Sequence, residues 1–414
     1  MTTKKHSNIF ETLKILYSDF LSINRIDDYC QTLLMRATER GDLKKVQKLI
    51  DAGADVNKQD SVKETALFIA ASKGYTDILR ELIKAGADVN HENKWKMTPI
   101  FEALKKGNEE CIKLLIESGT DVNKQDEHGW SVLMCACEKG SKENVNLLIE
   151  AGADVNLKSS TGWTALMSSA RSNKENIAKI LLNAGINPNA QDDYGNTALY
   201  IAVTNKHVEM IDSLIETGAD LNIKEAHGWS PLSVAALSEN VSILKKLIKK
   251  GADINSQDKI GLTPLMRAIC HGYMNPAYEL IYAGADLNLT DNTWQTALMD
   301  AVKKGKIRLV QELIKKGADI NIQDKGGLSA LMIAADKGYS QIVNDLIDKG
   351  ANIFLKSKQG KDAYHYAMCQ GDQGTAKVIQ EAVKNLIRTY QLPSHKKNQV
   401  LLKNICSQQL IYSR

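Results

Sequence analysis

The sequence lacks the features that would place it in most structural classes at a glance. Six prolines in 414 residues exclude a collagen-like or proline-rich disordered chain. No apolar run approaches the roughly 18 residues that a membrane-spanning helix needs. Charge of one sign is missing too. The formal net charge of +4 gives no global pull toward nucleic acid or anionic lipid. Arginine is scarce, at nine of the 53 basic residues. Lysine spread over helix faces confers solubility, whereas bidentate phosphate reading favours arginine. Cysteine is present seven times, an odd number, in no disulfide framework and no paired CxxC zinc pattern. Cys111, Cys135, Cys137, Cys270 and Cys369 fall at core-type helical positions, so the chain is expected in a reducing, cytoplasmic compartment.

Signatures of chemistry are also lacking. There is no Gly-rich phosphate loop, no His-Glu-x-x-His pair and no Gly-x-Ser-x-Gly elbow. The eight histidines are scattered. His128 and His227 sit in turns, and His91 just follows a turn asparagine; such loop histidines at equivalent places in a repeat do not converge on one point. No catalytic residue, metal ligand or cofactor is assigned, and the chain reads as no enzyme.

What is present is a period. The glycine of Gly152-Ala153-Asp154-Val155-Asn156 recurs at Gly53, Gly86, Gly119, Gly185, Gly218, Gly251, Gly284, Gly317 and Gly350, always 33 residues apart. The Thr or Ser that opens a second motif, Thr164-Ala165-Leu166-Met167, keeps the same step from Thr32 to Ser329. An eleventh, degenerate copy starts at Asp362. Self-similarity at a period of this length marks a solenoid array.

One unit can be read from its residues. Thr164 has the hydroxyl of an N-cap, and Ala165 (proline at 99, 231 and 264) suits the first helical position. Leu166, Met167 and Ala170 give a short helix whose small residue lets a neighbour approach. A polar turn follows, with glycine at 41, 74, 107, 140, 272, 305, 338 and 371 but Asn173, Lys206 and Glu239 in three consecutive units. A second helix ends in paired apolar residues such as Leu148-Ile149, and the pentad glycine stops it. Residues 156–163 are too short and polar for a third helix, and Gly162 suits a hairpin tip. Asn275-Pro276 reads as an N-cap followed by a first helical position. No unit has enough apolar surface to fold alone, so stability comes from stacking.

The pattern Gly-x-Thr-Pro/Ala-Leu-x-x-Ala-Ala, then Leu-Leu/Ile-x-x-Gly-Ala-Asp-Val-Asn, resembles the ankyrin repeat. The match covers residues 28–390, about eleven units of 33. The resemblance implies an all-α repeat solenoid with short β-hairpin fingers: a curved stack whose fingers and first helices line a groove that binds other proteins. One departure is visible. The histidine usual after Thr-Pro-Leu is Met35, Phe68, Phe101, Met134, Met167, Tyr200, Ser233, Met266, Met299 or Met332, and only His365 keeps it. Apolar contacts are expected to replace the threonine–histidine hydrogen bonding of the family.

Two segments flank the array. Residues 1–27 read as an amphipathic capping helix, with Asn8 and Glu11 as a capping box and Ile9, Leu13, Leu16, Phe20 and Ile23 on one face. Residues 391–414 read as a tail or second cap. The sharpest binding signal is aromatic. Trp95, Trp130, Trp163, Trp229 and Trp294 all lie between a pentad Asn and the next Thr/Ser, with Tyr194 in the same zone. Exposed tryptophan is enriched among interface hot spots, and rings that pack flat on a neighbouring finger are the competing reading. The expectation is a monomeric, non-catalytic scaffold for protein partners, binding neither nucleic acid nor membrane. The alternative is an adaptor or secreted effector whose terminal segments recruit other machinery. A lysine-, isoleucine- and asparagine-rich wording is compatible with an effector translocated by an intracellular bacterium.

Overall fold

The computed structural model describes residues 23–27 and 30–390. Both flanking segments, the 1–27 helix for the most part and the 391–414 tail, lie outside the described residues. Among those residues are 22 helices and no β-sheet. They fall into two compact units, the first ending at Glu225 and the second starting at Ala226.

Helix starts follow the threonine beat. Thr164 Oγ1 accepts the Met167 amide at 3.3 Å, and Ser131 and Thr263 cap their helices the same way at 3.2 Å. Each such bond satisfies one of the amides a helix N-terminus leaves orphaned. First helices such as Ala165–Arg171 then bury nearly every side chain between their neighbours. Met134, Met167 and Met266 stand where the family histidine would and are fully buried, so the expected apolar replacement is what the core contains. In the first repeat a trace of the polar contact survives, because the Thr32 amide donates to Met35 Sδ at 3.4 Å. At the last repeat His365 Nδ1 lies 2.7 Å from Asp362 Oδ1.

Helix ends are set by left-handed residues. Second helices such as Lys142–Glu150 close with the Gly152 amide on Ile149 O at 3.0 Å and the Ala153 amide on Leu148 O at 2.9 Å, the paired bonds of a Schellman ending. Gly152 sits at φ +90° with nothing within 4 Å of where a Cβ would be. Its need for glycine is therefore conformational, not steric. Between helices, Asn173 and Lys206 hold the left-handed conformation where glycine is missing, at φ 53° and 62°. Glu239 does not, and there the first helix shrinks to Pro231–Ala235. Asn275-Pro276 also departs from expectation. The helix runs Met274–Tyr282 with Tyr273 at its N-cap, which puts Pro276 inside the first turn, where its missing N–H has no partner to lose.

The fingers form tight turns in place of β-ladders. Only isolated bridges occur in them, Gln125 with Ser131, Thr290 with Thr296 and Gln323 with Ser329. The reason is local. Asp126 Oδ1 accepts the amides of His128 and Trp130 at 2.9 and 2.8 Å, and such side-chain bonds satisfy backbone that a ladder would otherwise use. Consecutive fingers are linked by one backbone bond each: Glu127 N to Trp95 O, Ser160 N to His128 O and Asp193 N to Thr161 O, at 2.9–3.0 Å. At the pentads, Asn123 spans two repeats, accepting from Asp154 N at 2.7 Å and donating to Gly152 O at 3.1 Å.

Candidate functional site

The fingers bring the aromatic residues to one edge of each stack, four in the first unit and two in the second. In the first unit, Trp130 and Trp163 occupy the same position on adjacent fingers, immediately before the helix-capping Ser131 and Thr164. Both are half-buried. Arg171, the last residue of Ala165–Arg171, serves both. Its guanidinium carbon lies 5.1 Å from the Trp163 ring centre and 6.0 Å from that of Trp130. Arg171 Nη2 also donates to Glu138 Oε1 at 2.7 Å. Trp163 is pinned further, since its Nε1 donates to the buried Ser168 Oγ at 2.9 Å. The result is a platform of two indoles and one guanidinium, with the Arg171 side chain still 46% exposed.

The other four differ from this pair. Trp95 and Tyr194 stand on the flanking fingers of the same unit, 39% and 66% exposed. In the second unit Trp294 takes the turn position that is glycine in most fingers, at φ 64°, which turns its ring outward to 55% exposure. Trp229 is a cover. The guanidinium of Arg267 lies 3.5 Å from its ring centre, and Arg267 pairs with Asp258, whose side chain is wholly buried. Asp258 simultaneously accepts the Ile260 and Leu262 amides at 2.9 Å. A buried ion pair is costly to leave half-satisfied, so Trp229 and Asp258 serve the finger's architecture.

Arg171, Glu138 and Arg267 went unnoticed in the sequence. The available signal was arginine scarcity: two of nine arginines stand on first helices beside a finger tryptophan. Two ionisable groups with perturbed titration face each other on first helices of the second unit, Asp300 and Cys270. Burial raises the pKa of Asp300, which accepts from Cys270 Sγ at 3.3 Å. Burial and the adjacent Asp300 push the Cys270 thiol up to about 12, the wrong direction for a nucleophile at neutral pH. A cleft of about 310 Å³ in the first unit is lined by Lys142, Lys174, Glu175 and Glu209 among others, a set of solvated charges. Among the described residues no group of three or more His, Cys, Asp or Glu side chains is placed to hold a metal. No helix among them is long and apolar enough to cross a membrane.

Paired short helices, stacked first on first and second on second, with Schellman endings and turn-shaped fingers, define an all-α repeat solenoid. The chain belongs to the ankyrin repeat family: overlapping stretches 4–93, 34–126, 67–159, 133–225, 185–258, 217–291 and 298–389 match the description "Ankyrin repeats (3 copies)". Ankyrin repeats are generally protein–protein interaction modules, and proteins built from them are generally non-catalytic scaffolds. No curated protein matches the chain.

Proposed function

We propose that this chain is a non-catalytic scaffold that recognises a protein partner through its finger and first-helix surface, centred on Trp130, Trp163 and Arg171. The observation that carries this reading is the shared guanidinium. Two large rings on separate fingers are held in place, before any partner arrives, by one exposed cation. Preorganised aromatic surface lowers the entropic cost of association, and tryptophan and arginine are the residues most enriched at hot spots. Trp95 and Tyr194 extend the same surface on either side. Trp294 offers a separate exposed ring in the second unit, and Trp229 contributes mainly to stability.

The test compares Trp130→Ala/Trp163→Ala with Trp229→Ala for thermal stability and for partner capture by crosslinking and mass spectrometry. The platform variant is expected to lose captured partner, with each ring contributing about 2 kcal/mol or more to binding, at a modest cost in stability. Trp229→Ala is expected to lower the melting temperature more, because it uncovers the Arg267–Asp258 pair. A platform variant that melts far lower yet captures the same partner would assign both rings to packing and overturn the reading.

A further inference from the structure

The small net charge of the whole chain conceals a segregation. Residues 1–225 carry 28 basic against 33 acidic side chains, while residues 226–414 carry 25 basic against 16 acidic. Repeat register shows where the difference is displayed. The last residue of each second helix, two before the pentad glycine, is Asp51, Glu117, Glu150 or Glu216 in four repeats of the first unit. In the second unit the same place and the next residue hold Lys249-Lys250, Lys315-Lys316 and, after Asp348, Lys349. Those five lysines are all exposed. Tyr282 fills the place between them, 58% exposed, with Lys316 Nζ 5.1 Å from its ring centre.

Lysine at a helix C-terminus has an ordinary explanation, since it complements the helix dipole by about 0.3–1 kcal/mol. That explanation fails for the set. Four of the six matching helix ends of the first unit carry carboxylates, against the dipole, and are just as helical. Lys249, Lys250 and Lys349 also have no ion-pair partner among the described residues. Lys315 reaches Glu312 only at 3.8 Å. The row is therefore a line of available positive charge along one edge, with an aromatic face in it.

We infer that this lysine row is a second docking surface, for an extended acidic polypeptide segment of a partner protein. The width of the row decides the occupant. The pentad carboxylates Asp253, Asp286 and Asp319 follow a few residues later and turn toward their own chain, accepting the Asn255, Asn288 and Asn321 amides at 2.8–3.0 Å. A broad anionic bilayer would meet both signs at once. A single strand can follow the row past Tyr282 and meets one carboxylate in it, Asp348. Lysine in place of arginine suits carboxylates met as point charges better than bidentate phosphate reading. Helices that pack about 8–10 Å apart match an extended chain with an acidic residue at every third position, at about 3.1–3.3 Å per residue.

The test uses the full chain and a fluorescein-labelled 12-residue peptide repeating Glu-Ser-Gly, with Lys-Ser-Gly as control, read by fluorescence anisotropy. The acidic peptide is expected to bind at about 0.05 M NaCl and to weaken several-fold by about 0.2 M, where screening is stronger. Lys249→Glu/Lys315→Glu should weaken binding at least tenfold, and Lys249→Ala/Lys315→Ala by less. Trp130→Ala/Trp163→Ala should leave it unchanged, so this surface stands or falls separately from the tryptophan platform. Failure of the acidic peptide to bind, or equal binding by the charge-reversed variant, overturns the inference. So does lysine-dependent capture by phosphatidylserine vesicles without peptide binding, which would assign the row to a membrane surface.

Discussion

Burial of a single carboxyl, that of Asp300, is expected to carry a stability cost. It stands on a first helix, Ala297–Lys303, at a place where Ile69, Ile201 and Ile333 pack in other repeats. Burial raises its pKa, with Asp291 adding to the effect while Cys270, Lys303 and Lys304 oppose it. A carboxyl whose folded pKa lies above its unfolded value stabilises the fold when protonated, and that contribution is lost as pH rises through the folded value. Asp300→Asn is thus expected to raise the melting temperature at pH 7, each 1 kcal/mol corresponding to about 2–4 °C. The difference from the parent should shrink as pH falls toward the ordinary aspartate value of about 3.9 and vanish well below it, where both states of the parent carry the proton. Thermal melts across that range check it, and a variant less stable at every pH would contradict the assignment.

At the scale of the element, two kinds of glycine do different work. Gly152 ends a helix with open space around it, while a Cβ on Gly162, at φ +76°, would lie 3.0 Å from the Cα of Asp192 on the next finger. Gly152→Ala is expected to cost about 1–2 kcal/mol, the price of a left-handed alanine. Gly162→Ala bears that cost plus the displacement of a neighbouring backbone, and should exceed it by about 1 kcal/mol or more. Denaturant unfolding of the two variants measures the gap, and equal losses would show that the fingers yield freely. Most helix boundaries were readable from spacing, because caps and left-handed residues act within a few positions; the start at Met274 and the shortened Pro231–Ala235 were not. The absence of a β-ladder was not readable either, because it depends on Asp126 and its equivalents bonding their own backbone.

Across each compact unit, repeats touch only their neighbours, so energetic coupling should be short-ranged. The pentad asparagines make this measurable. Asn123 and Asp154 act on one turn: Asn123 Oδ1 accepts the Asp154 amide at 2.7 Å, and Asp154 Oδ1 accepts the Asn156 amide at 2.9 Å. Asn288, in the other unit, bonds Asp319 N at 2.7 Å. Asn123→Ala and Asn288→Ala, each expected to cost about 1 kcal/mol, should add to within about 0.5 kcal/mol, whereas Asn123→Ala and Asp154→Ala, which act on the same turn, should not. Double-mutant cycles by chemical denaturation decide, and strong coupling between positions 123 and 288 would refute the nearest-neighbour picture.

The family and the helix plan were decided by the sequence alone. A repeat of 33 residues without insertion writes each cap, helix and stop in local terms, and local terms need no fold to be read. The division of the aromatic residues belonged to the tertiary structure. Trp130, Trp163 and Trp229 occupy the same register position and are indistinguishable along the chain. Their environments differ because of arginines that arrive from the helix beside them, Arg171 at the surface and Arg267 within the core. That difference is one of burial and partner, which stacking creates and periodicity cannot express.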